Sequence, residues 1–524
     1  MPDRVELAEA AMQTSPVAIL DGTPLDYWTL ARIGRGDVMV AVAAEGLERV
    51  RSGRVGLQAA LDSGVIVYGA NTGVGAMRDV AFSRGELEEF SAGLVRAHYF
   101  GTGQPFPSEV VRKAMAIRVN SALAGRTGCT ETLIRGYLDL LNRSVVPIVR
   151  RTGSIGCADI GLMGQIGSVL TGVGEALYDG RRMSASEALA AAGLAPIRLK
   201  PKDGLAAVSS NAIGFAAACH ALRRGAGALR TLMASGVAAA LAMGASDAPW
   251  RAALAVGTPT QATAAAWLIE AAEKGAVTAE KTIHDPLSLR MMAQVFAAAI
   301  GALESAGGVA LAMTALVDDN PIVDCGRILA SGGSLPLDIA IALQSTSIAF
   351  AHLARNSFNR CVLIGNGHRR SLPVNLVAPE TTATGFGPVA KLAGELFART
   401  LSLATPISAQ SLVVSDGIED EAAFLPLLVE RFERQVEAIR RLAALESLLA
   451  AQAFDLMGDR PGGVAALVYE IVRRHSAFYR EDRPLSLEVE AIEKALASPS
   501  TMSRLLKTAP LAGFDYKFSL ELGF

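Results

Sequence analysis

Aromatic side chains are scarce in this chain, 5 % of 524 residues, and charge is thin, with Asp, Glu, Lys and Arg together at 19 %. Few aromatics beside abundant Ala and Leu disfavour a sheet protein. The 49 Lys and Arg nearly balance the 51 Asp and Glu, a formal net charge of −2. That excludes a general polyanion binder and an acidic tail. Basic residues are not interleaved with aromatics, so nucleic acid is not an expected partner. Low charge with 51 % hydrophobic residues also excludes disorder, because burial on that scale offsets the entropy of ordering. The five cysteines (Cys129, Cys157, Cys219, Cys325, Cys361) are odd in number and lack a Cys-x-x-Cys spacing. A reduced, cytoplasmic chain without disulfides is expected. The histidines are scattered, with no His-x-x-x-His pair, so no metal site is expected. A Walker loop, a Gly-x-Gly-x-x-Gly after a strand and a Gly-x-Ser-x-Gly elbow are all missing, which removes nucleotide cofactors and the serine hydrolases. The start, Met1-Pro-Asp-Arg-Val-Glu6, has no basic flank followed by an apolar core, so no export signal is expected.

What is present is apolar and helical. Mean hydropathy is +0.33, which raises the question of a membrane. The charge-free run Gly204–Leu222 contains Ser209, Ser210, Asn211 and His220, and Thr231–Ser246 falls short of the roughly 20 residues a bilayer needs. No membrane span is expected; these segments are expected to be helices covered by protein. Val429, Phe432, Val436, Ile439 and Ala443 alternate steps of three and four, one face of a helix over Glu421–Leu456. Further helices are expected over Pro107–Ala124, Thr130–Asn142, Gly161–Leu177, Leu205–Ala245, Thr260–Lys274, Met291–Val317 and Leu337–Ser357. Glycine- and proline-rich joints at 68–75, 101–107, 152–164, 331–337 and 365–388 place loops at helix ends, where function concentrates. The expected organisation is a helical and loop domain over 1–200 and a central helix bundle with C-terminal helices over 201–524. So much uncharged helix surface implies an oligomer.

The chemistry lies in the loops. Tyr68-Gly-Ala-Asn-Thr-Gly-Val-Gly75 is followed by Ala97-His98 with Gly101-Thr-Gly103, by Gly153-Ser-Ile-Gly156 and by Lys202-Asp-Gly-Leu-Ala206. Asp285-Pro-Leu-Ser-Leu-Arg290, Asp319-Asn-Pro321 and Ile418-Glu-Asp420 complete the series. Each alone is weak. In this order, over roughly residues 60–425, they resemble the landmarks of the aromatic amino acid ammonia-lyase family. The resemblance implies an all-α fold, a long central helix bundle of the histidine/phenylalanine ammonia-lyase type with loop-built active sites at helix ends. It also implies a homotetramer whose active sites are shared between subunits.

The departures from the family are informative. Its members carry Gly-Ser-x-Gly-Ala-Ser-Gly-Asp, whose Ala-Ser-Gly cyclises and dehydrates to a methylidene-imidazolone electrophile. This chain reads Gly153-Ser-Ile-Gly-Cys-Ala-Asp159, one residue shorter and without the central hydroxyl. Loss of hydrogen sulfide from Cys157 is the remaining route to such a group; plain polypeptide, and no cofactor, is expected. The family Tyr after Pro286 is Leu287, the Asn expected at 209 is Ser209, the Gly-Gly-Asn-Phe-His loop is Gly332-Gly-Ser-Leu-Pro336, and the family Gln is Lys391. Without the electrophile the substrate must bring a good leaving group, and a trimethylammonium departs as neutral trimethylamine without protonation. The family's ergothionases lack the electrophile, and this chain resembles them in that and in pairing Lys391 with Glu419. The resemblance implies a carbon–nitrogen lyase that eliminates trimethylamine from the betaine ergothioneine to give thiolurocanate. The alternatives are an ammonia-lyase or aminomutase with a cysteine-derived cofactor, and a silent scaffold.

By this resemblance Tyr68 is the base, and its phenol, ordinarily near ~10, needs nearby positive charge to act near neutral pH. Arg290 offers a planar fork for the substrate carboxylate. Lys391 meets the charge that develops on a thio-imidazole ring. Glu419 either holds an imidazole N–H, pairs with Lys391, or is an acid favouring a helix N-terminus. His98 is either a ring contact or a core histidine. Asn320 is either near the carboxylate or a turn-forming residue before Pro321. Asn71 is either at the substrate or a support for the Tyr68 loop.

Overall fold

The computed structural model describes residues 16–273, 280, 282–410 and 412–523. The start at Met1–Glu6 and the expected helix end at Lys274 lie outside the described residues. Helices dominate, and the chain divides into two compact units, each built from three separate stretches. The first takes the described residues of Met1–His220, Gly308–Ile341 and Ile407–Val429; the second takes those of Ala221–Gly307, Ala342–Pro406 and Glu430–Phe524. Four long helices contribute to both: α1 (Ala212–Ala242), α2 (Met292–Met313), α3 (Leu337–Gly365) and α4 (Leu425–Met457).

Every strand among the described residues belongs to the first unit, in four small sheets. Val17–Leu20 pairs in parallel with Met39–Val42, Val17 opposite Met39. Thr102–Pro105 runs antiparallel to Arg150–Thr152, Glu175–Tyr178 lies between Val146–Pro147 and Arg181–Ser184, and Ile322–Asp324 pairs with Arg327–Leu329. Inside this unit Arg118 makes a two-pronged pair with Asp319, 3.0 and 2.8 Å, both fully buried. The Asp319 carboxylate holds the Arg118 charge firmly in place against the cost of burial.

Among its described residues, the regular elements of the second unit are all helices joined by loops. Its core rests on small residues that let helices approach closely. A Cβ at Gly225 would lie 2.9 Å from the Phe432 ring, so that crossing of α1 and α4 needs glycine. Arg360 of α3 and Glu446 of α4 form a buried pair, with Ser357 donating to the same carboxylate at 2.7 Å.

The observed helices track the periodicity, with two differences that bear on the site. The helix expected over Leu205–Ala245 is broken into Asp203–Val208 and α1. No proline or glycine marks the break. It is made by tertiary hydrogen bonds, since Ser210 N donates to Ala158 O at 2.9 Å and Asn211 N to the buried Asp318 carboxylate. The helix expected from Gly161 stops at Leu170 rather than Leu177, because Gly172 and Gly174 adopt left-handed backbone and Glu175 enters a strand. By length and composition alone, three helices could cross a bilayer: Asp203–Ala242, Met292–Met313 and Leu337–Gly365. The charge-free runs are shorter than these helices because charged residues such as Arg223, Glu304 and Arg355 interrupt them. The most apolar window of the first is 94 % buried.

Candidate active site

Within the first unit, loops at helix ends enclose a cavity of about 860 Å³. Tyr68, His98, Asn320 and Glu419 line it, together with Cys157, Ser209, Ser334 and Ser415. Four of the residues singled out from the sequence therefore converge. Its charged lining residues are acidic (Glu419, Asp420 and Glu421), and no Lys or Arg among the described residues lines it.

The Tyr68 loop is shaped by two residues whose identity the backbone demands. Gly69 sits at φ +66°, and a Cβ there would lie 2.4 Å from Leu205, so only glycine fits. Asn71 accepts from Val67 N at 2.7 Å and donates to Val65 O at 2.9 Å. It thus ties the base of the loop, and it lines a separate cavity of about 530 Å³ rather than the first. The Tyr68 hydroxyl accepts from Gly75 N at 2.9 Å. Burial pushes the phenol above its ordinary value, the Gly75 bond opposes this, the Glu419 charge adds to it and Arg78 counters it. Among the described residues, burial and the Glu419 charge together leave the phenol raised.

His98 ends the helix Leu87–Ala97, and its Nδ1 lies 2.7 Å from Leu94 O. With a carbonyl as its partner, Nδ1 is the donor in that bond. Asn320 accepts from Ser331 N at 2.9 Å, so it braces its own turn while lining the cavity. Glu419 lies in the loop before α4, whose first turn holds no acid. Service to the helix dipole is thus not its placement. Ser415 Oγ donates to Glu419 Oε2 at 2.6 Å.

The segment standing where the family carries its electrophile is held by a set of hydrogen bonds. Ala158 N donates to Ser334 O at 3.1 Å, Gly156 N to Ser154 Oγ at 2.9 Å, and Phe424 N to Ile155 O at 2.9 Å. Cys157 Sγ lies 3.4 Å from Ser334 Oγ, and burial raises its thiol. Closing an imidazolone ring here would need Ala158 N to attack the Gly156 carbonyl, yet that nitrogen is committed to Ser334. With no hydroxyl to eliminate, these residues do not fit the family's electrophile.

Behind this wall lie two buried carboxylates that sequence reasoning missed. Asp159 accepts from Ser154 at 2.5 Å and from Gly214 N at 3.1 Å, and burial lifts it to about 7. Asp318 holds Ser210 and Asn211, and burial lifts it to about 6, with Arg118 opposing. Neither carries a sequence signal beyond adjacency to a recognisable motif. Lys391 and Arg290 stand apart. Lys391 is exposed in the first turn of Val389–Leu403, Arg290 half-buried at the end of Leu287–Arg290; both belong to the second unit and neither lines this cavity.

Comparison with known proteins places this architecture. Residues 25–474 match the family model for aromatic amino acid lyases. The chain belongs to the aromatic amino acid lyase family. It is 32 % identical over 498 residues to a histidine ammonia-lyase of Anaeromyxobacter sp. (strain K), covering 90 % of this chain and 97 % of that one. Among solved structures it superposes on ergothionase from Treponema denticola, an ergothioneine-degrading enzyme solved with desmethyl-ergothioneine sulfonic acid. That likeness has a TM-score of 0.89 at 27 % identity, over 92 % of this chain and 98 % of the other. Histidine ammonia-lyase from Trypanosoma cruzi shares the fold, with a TM-score of 0.85 at 24 % identity over 97 % and 98 % of the two chains. The chain is a carbon–nitrogen lyase of this family.

Proposed function

We propose that this lyase eliminates trimethylamine from ergothioneine, giving thiolurocanate, without a methylidene-imidazolone. The observation that carries this is the Gly156–Ala158 segment, which has neither a hydroxyl to lose nor a free ring-closing nitrogen. An amine that must be activated by an electrophile has no partner here, whereas a quaternary ammonium needs none. A cavity whose charged lining is acidic suits the substrate's trimethylammonium group, and the likeness to ergothionase supports the same substrate class.

The elimination follows from the residues. Tyr68, as phenolate, takes the Cβ proton; the Cβ–H electrons form the Cα=Cβ bond; the Cα–N pair leaves with nitrogen as neutral trimethylamine. Glu419 accepts the ring N–H. Burial and Glu419 both raise the Tyr68 phenol, so the site needs added cations. Lys391 and Arg290 supply them from neighbouring copies in a homotetramer, Lys391 beside the ring and Arg290 on the carboxylate.

Incubating the purified protein with ergothioneine, hercynine (the betaine without sulfur) and histidine tests this directly. Trimethylamine and the near-ultraviolet band of thiolurocanate are expected from ergothioneine. The identity to histidine ammonia-lyases favours a second outcome, ammonia from histidine, and that result would replace the first.

A further inference from the structure

Glu419 and Tyr68 are each placed by a loop, and Ser415 stands where the two loops meet. Its Oγ donates to Glu419 Oε2 at 2.6 Å. A Cβ added at Gly75, the residue whose N–H holds the Tyr68 hydroxyl, would come within 3.6 Å of the same oxygen. Val414 and Glu419 close the turn between them, with Val414 N donating to Glu419 O at 2.9 Å. Among the described residues the Glu419 carboxylate has no other hydrogen-bond donor, so its orientation hangs on one hydroxyl.

The backbone at Ser415 sharpens the point. It sits at φ +54°, followed by Asp416 at +57° and Gly417 at +79°. Left-handed backbone is costly for a residue with a Cβ, and glycine would adopt it without strain. The serine hydroxyl is therefore bonded to Glu419 from a backbone conformation that glycine would adopt with less strain.

We propose that Ser415 is the positioning residue for Glu419: its hydroxyl holds Oε2 and so leaves Oε1 to accept the ring N–H of the imidazole-type substrate. This rests on the imidazole-binding role proposed for Glu419. The strained turn and the hydrogen bond make opposite demands on substitutions, and that separates them. If only turn geometry matters, Ser415→Ala matches wild type, since both carry a Cβ, and Ser415→Gly is at least as good. If the hydroxyl matters, both lose equally.

The test measures imidazole binding by calorimetry for wild type, Ser415→Gly, Ser415→Ala, Glu419→Gln and Ser415→Gly/Glu419→Gln. Removing a hydrogen bond to a charged group should raise the imidazole Kd roughly tenfold in both Ser415 variants. On the Glu419→Gln background Ser415→Gly should add less than about twofold, since the group it orients is already altered. Wild-type affinity in Ser415→Gly, independent multiplication of the two effects, or no imidazole binding by wild type would each overturn the proposal. In parallel, ergothioneine kinetics should show KM rising more than kcat falls. A wild type that binds imidazole yet releases no trimethylamine refutes the proposed elimination while the binding cycle still decides Ser415.

Discussion

Lys202 should destabilise this fold, and replacing it by Met should make the protein more stable. The side chain is 1 % exposed, and its Nζ has no hydrogen-bond partner among the described residues. Burial lowers its pKa from 10.5 to about 8, with Asp319 partly countering and Arg118 adding to the drop. The sign follows from proton counting. Between pH 8 and 10.5 the unfolded chain holds this proton more tightly than the folded one, so stability rises with pH across that window and the full penalty applies below it. A gap of about 2.5 pKa units corresponds to roughly 3 kcal/mol at pH 7. Met keeps the length of the stem without the charge, and exchanges of buried charge for apolar bulk gain about 1–4 kcal/mol. Asp319 keeps its two bonds to Arg118, so no unpaired carboxylate is left behind. Urea midpoints of wild type and Lys202→Met at pH 7, 8.5 and 9.5 provide the assay. The variant should be more stable by about 1–3 kcal/mol at pH 7, with the gap narrowing as pH rises. A variant less stable at pH 7, or a gap independent of pH, would show that the amine is neither isolated nor desolvated as argued.

Three further outcomes are expected. The intact mass should equal the sequence mass through Gly153–Asp159, and a loss of water with hydrogen sulfide would revive a cysteine-derived electrophile. Arg290→Ala should lower kcat/KM on ergothioneine by the roughly 2–5 kcal/mol lost with a desolvated charge-paired partner; a change under about fivefold removes Arg290 from the carboxylate. Lys391→Gln should reduce ergothioneine turnover about 10²-fold, as for one preorganised stabiliser, while binding suffers less. Intact turnover in that variant, or a wild type preferring hercynine, would sink the role of Lys391.

Tyr68, His98, Asn320 and Glu419 could be gathered from sequence because each sits in a loop whose turn residues are chemically distinctive. Gly69 and Asn71 are needed for backbone reasons visible in their identity alone. The long helices were legible for a similar reason: their apolar residues recur with helical spacing, as Val429 to Ala443 do. What escaped is set by contacts between distant segments. The break at Ser209–Asn211 has no breaker residue, and local propensity favours continuing the helix. The Ala158 carbonyl and the Asp318 carboxylate, brought from far along the chain, accept the Ser210 and Asn211 N–H groups and so start a new helix there. The raised carboxyls of Asp159 and Asp318 likewise come from burial, which an aspartate in a sequence does not announce. Ser415 was passed over because a serine in a loop is ordinary until its left-handed backbone and its bond to Glu419 are known. Its position next to Gly75 makes the Tyr68 and Glu419 loops interdependent. A substitution in either loop is therefore expected to act on both the proposed base and the proposed ring acceptor, so their single-site effects should not add.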